Sequence, residues 1–446
     1  MTLSGLPWRR SRCRAEQCHC YEKDRFVSPT PRAAALVALA ALSALVLPGW
    51  GSLALVVGVL AATVTDAWMV RKVPLVGVEL PSILSRGNPS NLSLTTEASA
   101  IPIRLRQPAG PDLRIAPQEG EGVLLGEIVA LRRGRHRLPA PATRATGPLG
   151  LGWWFHRTGI DHEVVVYPDL PAARHLVMEV RLGRFRGEGR RSRGPLGLGT
   201  ELETIREYSP DDDIRQVNWR ATARMGHPMS NTYRVEQDRE VVCLLDCGRL
   251  MAAPLPARPG RPGLTRLDAA VDAAAAMAAV ADEIGDRVGV LAFDHRVIRQ
   301  LSPRRDGGSA VLKAIYDLEP STGDSDYHLA FRMVAHSKRA FVLILTDLLD
   351  ESAARPLLEA MPVLARHHAV TVASVADPAV EEALSLPQET LAGVLRQAVA
   401  VDVIEARERV AARLSALGAQ VIDASPEHLS AACVAAYLAA KRRARL

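Results

Sequence analysis

VVCLLD, residues 241–246, and AFVLILTD, residues 340–347, decide the reading of this fold. Each is a run of apolar residues with no polar face, closed by an aspartate. Short apolar runs of this kind predict strands buried on both faces, as in a parallel sheet. The surrounding chain keeps the rhythm. Residues 267–284 predict a helix whose inner face is mostly alanine, and residues 288–293 a strand. Helices are expected at 309–318, 327–336 and 354–365, and a strand at 369–375. The last units are a helix at 401–417, a strand at 420–423 and a helix at 427–441. Strands alternating with helices imply a parallel sheet covered on both faces, with function beyond the carboxyl ends of the strands.

Asp246 and Asp347 sit at that edge. With Asp326, Thr322 and Ser325 from a loop they form a candidate divalent-cation site, because hard cations take oxygen ligands. Cys247-Gly248-Arg249-Leu250 supplies no hard oxygen side chain after the first aspartate, and Arg249 would repel a cation. The competing reading is that both aspartates cap loops or pair with arginines. No cofactor is expected beyond such a cation, for instance Mg2+. The P-loop, G-x-S-x-G and H-E-x-x-H patterns are absent.

Upstream, residues 199–240 read GTELETIREYSPDDDIRQVNWRATARMGHPMSNTYRVEQDRE. Charges of both signs alternate with Tyr208, Trp219 and Tyr233, rings that favour packing over solvation. One reading is a surface hairpin whose charges pair with each other and with water. The other is a docking surface. Before it, residues 181–194 (RLGRFRGEGRRSRG) are basic and glycine-rich, a flexible loop or an electrostatic arm.

Residues 74–170 change pattern, with short alternating segments such as 92–95, 101–106 and 163–167 separated by Pro and Gly. These predict a small all-β sandwich. GPLGLG at 147–152 and again at 194–199 departs from the dinucleotide fingerprint, and both copies read as turns. Two apolar runs, 33–50 and 51–70, are joined by Pro48-Gly49-Trp50, and basic residues flank only their outer ends. They predict a transmembrane helical hairpin with both ends in the cytoplasm and Trp50 and Trp68 at the two interfaces. A cleaved signal peptide or a buried helical hairpin fits less well: the second run follows at once, and neither run has a polar face.

The 446 residues allow two or three domains. A net charge of +6 suits an anionic surface and, with no nucleic-acid motif present, does not point to nucleic acid. Six scattered cysteines, three of them in the tail at Cys13, Cys18 and Cys20, read as reduced thiols.

The pattern running from Gly199 and Glu201 through Arg206, Glu207, Tyr208, Pro210, Asp212, Asp213, Arg215, Trp219 and Ala223 to Arg224 closely resembles the signature of the bacterial domain of unknown function 58 family. The R-R-G-x-x-x-L element at 132–138 and the order of parts match as well. The family's usual Gly before the aspartate pair is Asp211 here. The resemblance implies an α+β multidomain chain. Its parts are a tail (1–31), a transmembrane hairpin (32–70), a β-sandwich-like domain (74–180), the signature (181–240) and an α/β von Willebrand factor A-like, Rossmann-type domain (241–446). It implies no enzymatic activity, and it implies partnership with a MoxR-type AAA+ ATPase and client proteins at the membrane. In relatives two aspartates, serines and a threonine hold a cation. Asp246 and Asp347 match the acids, whereas Gly248 and Leu250 stand where the serines would be. Three functions follow as expectations: a membrane-anchored adaptor docking through the signature, a metal-dependent ligand-binding module, and a hydrolase using the signature carboxylates. In the first, Arg206, Arg215 and Arg224 order the loop through the acidic trio, while Tyr208 and Trp219 pack it onto the sheet.

Overall fold

The computed structural model describes residues 27–96, 101–157, 160–182, 184–187, 190–191, 201–209, 214–234, 238–256, 263–335, 338–348, 351–385 and 390–442. Residues 1–26 of the tail, residues 183, 188, 189 and 192–194 of the arm and the second GPLGLG copy lie outside them. The chain separates into two units, Met1–Val166 and Tyr167–Leu446.

The first unit begins with β1 (Val27–Pro29), α1 (Pro31–Leu42), a short 3-10 turn (Ser43–Leu45) and α2 (Gly49–Met69). Eleven strands follow, and they alternate as half-buried antiparallel strands must. Ile103 and Leu105 are buried while Arg104 and Arg106 between and beside them are exposed. One sheet orders β1, β11 (Gly152–Arg157), β10 (Ala142–Thr146), β5 (Ile103–Arg106) and β7 (Glu119–Glu121). A second orders β2 (Val76–Glu79), β4 (Pro89–Thr96), β8 (Val123–Ala130) and β6 (Leu113–Ala116). A third orders β3 (Ile83–Ser85), β12 (His162–Tyr167) and β9 (Gly134–Leu138). Leu84, Leu92, Ile128, Leu138, Val164 and Val166 meet in the main core.

Among the described residues α2 is the one helix long and apolar enough to cross a membrane, by length and composition. Its outer surface is apolar and exposed at Leu53, Val57, Leu60 and Val64. Its last turns are rooted in the β-rich part. The buried Asp66 carboxylate accepts the backbone N–H groups of Leu149 and Leu151 at 2.8 Å and of Gly152 at 2.9 Å. At the other root, the Thr30 hydroxyl caps α1 and donates to the Gly150 carbonyl at 2.7 Å. The first GPLGLG copy is a turn, as expected, and the helix is why it holds glycine. A Cβ on Gly152 would stand 2.6 Å from Ala67 Cβ and from the Thr63 carbonyl oxygen.

The second unit opens with α3 (Leu170–Arg181) and two short strands, β13 (Arg186–Gly187) and β14 (Arg190–Arg191). The sequence reading places 170–180 with the β-rich part; in the structure Val180 and Phe185 join the core of the second unit instead. Next comes the signature hairpin: β15 (Glu201–Glu207), α4 (Trp219–Met225) and β16 (Met229–Arg234). The α/β part comprises β17 (Glu240–Asp246), α5 (Arg266–Ile284), β18 (Arg287–Phe293), β19 (Val297–Arg304), α6 (Gly308–Ile315), α7 (Tyr327–Ala335), β20 (Ala340–Leu345), α8 (Glu351–Ala365), β21 (Ala369–Val375), α9 (Pro378–Ser385), α10 (Leu391–Ala416), β22 (Gln420–Ala424) and α11 (Leu429–Arg442). Its sheet runs β19-β18-β17-β20-β21-β22, parallel except for the edge strand β19. Val241, Cys243 and Leu245 point into one core, and Val242 and Leu244 into the other, so both faces are covered. β19 and α9 are absent from the sequence reading. β19 follows β18 as a hairpin partner with an exposed outer face, so it carries no continuous apolar run. α10 begins ten residues earlier than its sequence-based estimate of 401, because its first turns are exposed and lack a core-facing stripe.

Candidate functional site

β17 and β20 are the strands from which the connections depart in opposite directions, so the crevice beyond their carboxyl ends is the switch point of the sheet. Asp246 ends β17 there and is 2% exposed. Its carboxylate accepts the Thr346 hydroxyl at 2.6 Å, the Tyr327 hydroxyl at 2.7 Å, the Gly248 N–H at 2.8 Å and the Ser325 hydroxyl. Four donors use the acceptor capacity of one carboxylate. The Tyr327 hydroxyl is driven well up by burial and by the Asp246 charge, so it stays a donor.

Asp347, also buried, is held by arginines. Arg266 pairs with it directly, and Arg407 reaches it at 3.3 Å. Each arginine also spans to a second aspartate: Arg266 to Asp377 at 3.5 Å and Arg407 to Asp423 at 3.5 Å. Burial raises the Asp347 carboxyl, and the two guanidinium groups oppose that. Asp423 is raised by burial as well. The placement has a local cause. Thr265 and Asp268 form a capping box at the start of α5, which makes Arg266 the first helical residue, at the sheet edge.

Of the expected cation ligands, Asp246, Asp347 and Ser325 come to this crevice, and Asp326 does not. The Asp326 carboxylate accepts the Leu329 N–H at 2.9 Å, at the start of α7. Among the described residues no group of three or more His, Cys, Asp or Glu is arranged to hold a metal. With Asp246 satisfied by hydroxyls and Asp347 by guanidinium groups, the residues present do not fit a cation. The reading in which the aspartates pair with arginines describes Asp347. Arg266 and Arg407 carry no local motif, and sequence reasoning missed them; the Thr265–Asp268 capping box was the one legible hint, for Arg266.

The signature forms a separate small module. β15 and β16 pair antiparallel from Glu201↔Arg234 to Glu207↔Met229. Asn218 caps α4, accepting the Ala221 N–H at 3.0 Å while its amide donates to Asn231 at 2.8 Å. The Thr222 hydroxyl accepts the Met229 N–H, and Gly226 ends the helix with φ of 76°. The signature's N-W-x-A-x-A-R thus encodes a cap, two helical turns and a return into β16. Tyr208 is half-buried and its N–H binds the Pro228 carbonyl. Trp219 does not pack onto the sheet: it is 70% exposed, because α4 is too short to bury any of its residues. Ile214 and Met225 are exposed too, as are Arg206, Glu207 and Arg224. Glu207 lies 3.4 Å from His227. Asp211, Asp212 and Asp213 lie outside the described residues, as does the side chain of Arg215, so the expected pairing of arginines with the acidic trio falls there.

The module joins the sheet at Asp238, whose backbone is left-handed at φ 72°. Its carboxylate takes two hydrogen bonds from Arg287, at 2.6 and 2.8 Å, and one from Arg305 at 3.0 Å. These hold its pKa at about 2, below the usual 3.8. The folded form therefore binds the proton less tightly than the unfolded chain, so this contribution is present above pH 3.8 and lost as pH falls through 2. A carboxyl chemical-shift titration is expected to show Asp238 ionised at pH 3; a midpoint near 4 would contradict the clamp.

Residues 204–410 match the family model described as Protein of unknown function DUF58. The DUF58 match starts within β15 and ends within α10, so it takes in the signature module from Thr204 on, the Asp238 joint, Asp246, Asp347, Arg266 and Arg407, and leaves out the first unit. The chain is also similar to uncharacterized proteins of Mycobacterium bovis and Mycobacterium tuberculosis, 26% identical over 273 residues, covering 56% of this chain and 82% of theirs. A solved structure of a point mutant of the PilB minor pilin from Streptococcus sanguinis aligns over 79% of this chain and 81% of that one, at 9% identity and a TM-score of 0.34, too low a likeness to carry any argument.

Proposed function

We propose that this chain is a membrane-anchored, non-enzymatic adaptor. Its hairpin holds it at the inner membrane with the folded units in the cytoplasm, and its α/β part is a von Willebrand factor A-like scaffold. The signature module is the docking surface for a MoxR-type AAA+ ATPase or its client. One observation carries this reading: Trp219 is 70% and Met225 60% exposed on a two-turn helix that buries nothing, and Ile214, in the 3-10 turn just before it, is 70% exposed. An exposed Trp with Arg220 and Arg224 close by in sequence is the composition of a binding anchor, since Trp and Arg dominate interface energetics. The saturated Asp246 and Asp347 argue against the metal-dependent alternative.

Co-purification of the full chain from membranes tests the reading. An AAA+ ATPase is expected among the captured proteins, and Trp219→Ala is expected to weaken that capture about 30-fold, the ~2 kcal/mol of an anchor residue. Circular dichroism should be unchanged, as the ring supports no core. Full retention of the ATPase by the Trp219→Ala chain would remove the docking role.

A further inference from the structure

The hairpin of α1 and α2 is shorter, as a lipid-facing object, than its sequence suggests. Both of its roots are tied to the same turn of the first unit, 147–152. Asp66 holds three backbone N–H groups of that turn, and Thr30 holds the Gly150 carbonyl and donates its own N–H to Leu151. Thr63, Asp66 and Ala67 are buried against it. That wall is polar backbone, which has no place in hydrocarbon. The part of α2 clear of that wall on every side is residues 49–62, about 21 Å at 1.5 Å per residue, while Val64, Trp68 and Met69 stay exposed on the flank away from it. The other limb, α1 with its 3-10 turn, is about 24 Å. A hydrocarbon core is about 30 Å thick, and tilt only shortens reach.

The tip is built for the same depth. Residues 44–51 contain no charged or polar side chain, while Arg32, Arg71 and Lys72 gather at the roots. Trp68 lies against the Arg71 guanidinium, 3.6 Å from ring centroid to carbon, an aromatic and basic pair suited to a headgroup layer. Part of the apex backbone closes on itself. The N–H groups of Val46 and Leu47 bind the Ser43 carbonyl, those of Gly51 and Ser52 bind the Pro48 carbonyl, and Pro48 has none. The two hydroxyls nearby, Ser43 and Ser52, turn back onto helix carbonyls. These bonds reduce the number of polar groups that a lipid-immersed apex would leave open.

Resting on the membrane reading above, we propose that the hairpin is re-entrant: it enters the bilayer from the face that carries the folded units and turns inside the acyl layer without emerging on the other side. The test uses the full chain in native membranes with Cys13→Ser, Cys18→Ser and Cys20→Ser; the described cysteines Cys243, Cys247 and Cys433 are buried. Gly49→Cys places a thiol at the apex, where nothing stands within 4 Å of the new Cβ. Val73→Cys, beyond α2 and exposed, reports the root side. Fractionation into alkali-resistant membranes is expected. A membrane-impermeant maleimide should label Val73→Cys only from the root side, and Gly49→Cys from neither side, at least tenfold more slowly than in detergent. Labelling of Gly49→Cys from the side opposite Val73→Cys would make the hairpin spanning and overturn the proposal. Recovery of the chain in the soluble fraction would instead overturn the membrane reading itself.

Discussion

Arg266→Ala is expected to lower the stability of the second unit by about 3 kcal/mol, the low end for removing one partner of a buried pair. Asp347 is buried and would keep only Arg407, while Asp377 would lose its ion pair and keep the Ala379 N–H. Denaturant unfolding of the full chain in detergent, followed by tryptophan-independent far-UV signal, measures it. The pH dependence gives a second reading. The folded Asp347 carboxyl is raised above its unfolded value by burial, so the folded state holds its proton more tightly. Such a group stabilises the fold most below its unfolded pKa, and that contribution is lost as pH rises through the folded pKa. Without Arg266 the folded pKa rises further. The deficit of Arg266→Ala should therefore be smaller at pH 4.5 than at pH 7.5. A double replacement, Arg266→Met with Asp347→Leu, should recover most of it, because apolar packing substitutes well for a buried ion pair. An Arg266→Ala deficit under 1 kcal/mol, flat in pH, would mean that the crevice is open to water and the pair is weak.

Asp66→Ala is expected to cost the first unit about 3 kcal/mol, since three backbone N–H groups lose their acceptor at once and each buried loss carries about 1–3 kcal/mol before water refills the space. Gly152→Ala should act at the same contact from the other side, by driving a methyl into Ala67 and the Thr63 carbonyl. Limited proteolysis at the 147–152 turn, beside thermal unfolding in detergent, reads both. Equal protection of that turn in wild type and Asp66→Ala would sink the rooting of α2 on β11. Asp66→Asn should fall between, as its amide oxygen retains part of the acceptor capacity.

The signature shows how far local pattern reaches. Asn218, Thr222 and Gly226 are a cap, a side-chain brace and a left-handed stop, all within one short segment, so their types and spacing carry the module by themselves. The ring at Trp219 reads equally as a packing anchor or an exposed one, because exposure depends on whether another element arrives over it. Asp326 illustrates the converse. In a loop beside Ser325 it reads as a companion of Asp246, yet one residue of register assigns it to the cap of α7 and Ser325 to the carboxylate.

Hydrophobic patterning alone determined the six-stranded sheet's interior strands, its two-sided burial and the long apolar helix α2, since each follows from which neighbours in the chain share a face. The charge partners were decided only by tertiary structure. Asp66 and Leu149 are 83 residues apart, and Arg407 and Asp347 are 60 apart. Nothing in the spacing of such residues forecasts the pairing. A buried carboxylate must find donors wherever the fold brings them, and here these were backbone N–H groups for Asp66, hydroxyls and one N–H for Asp246, and guanidinium groups for Asp347. That difference in donors is why two aspartates that look alike at the ends of VVCLLD and AFVLILTD are held so differently.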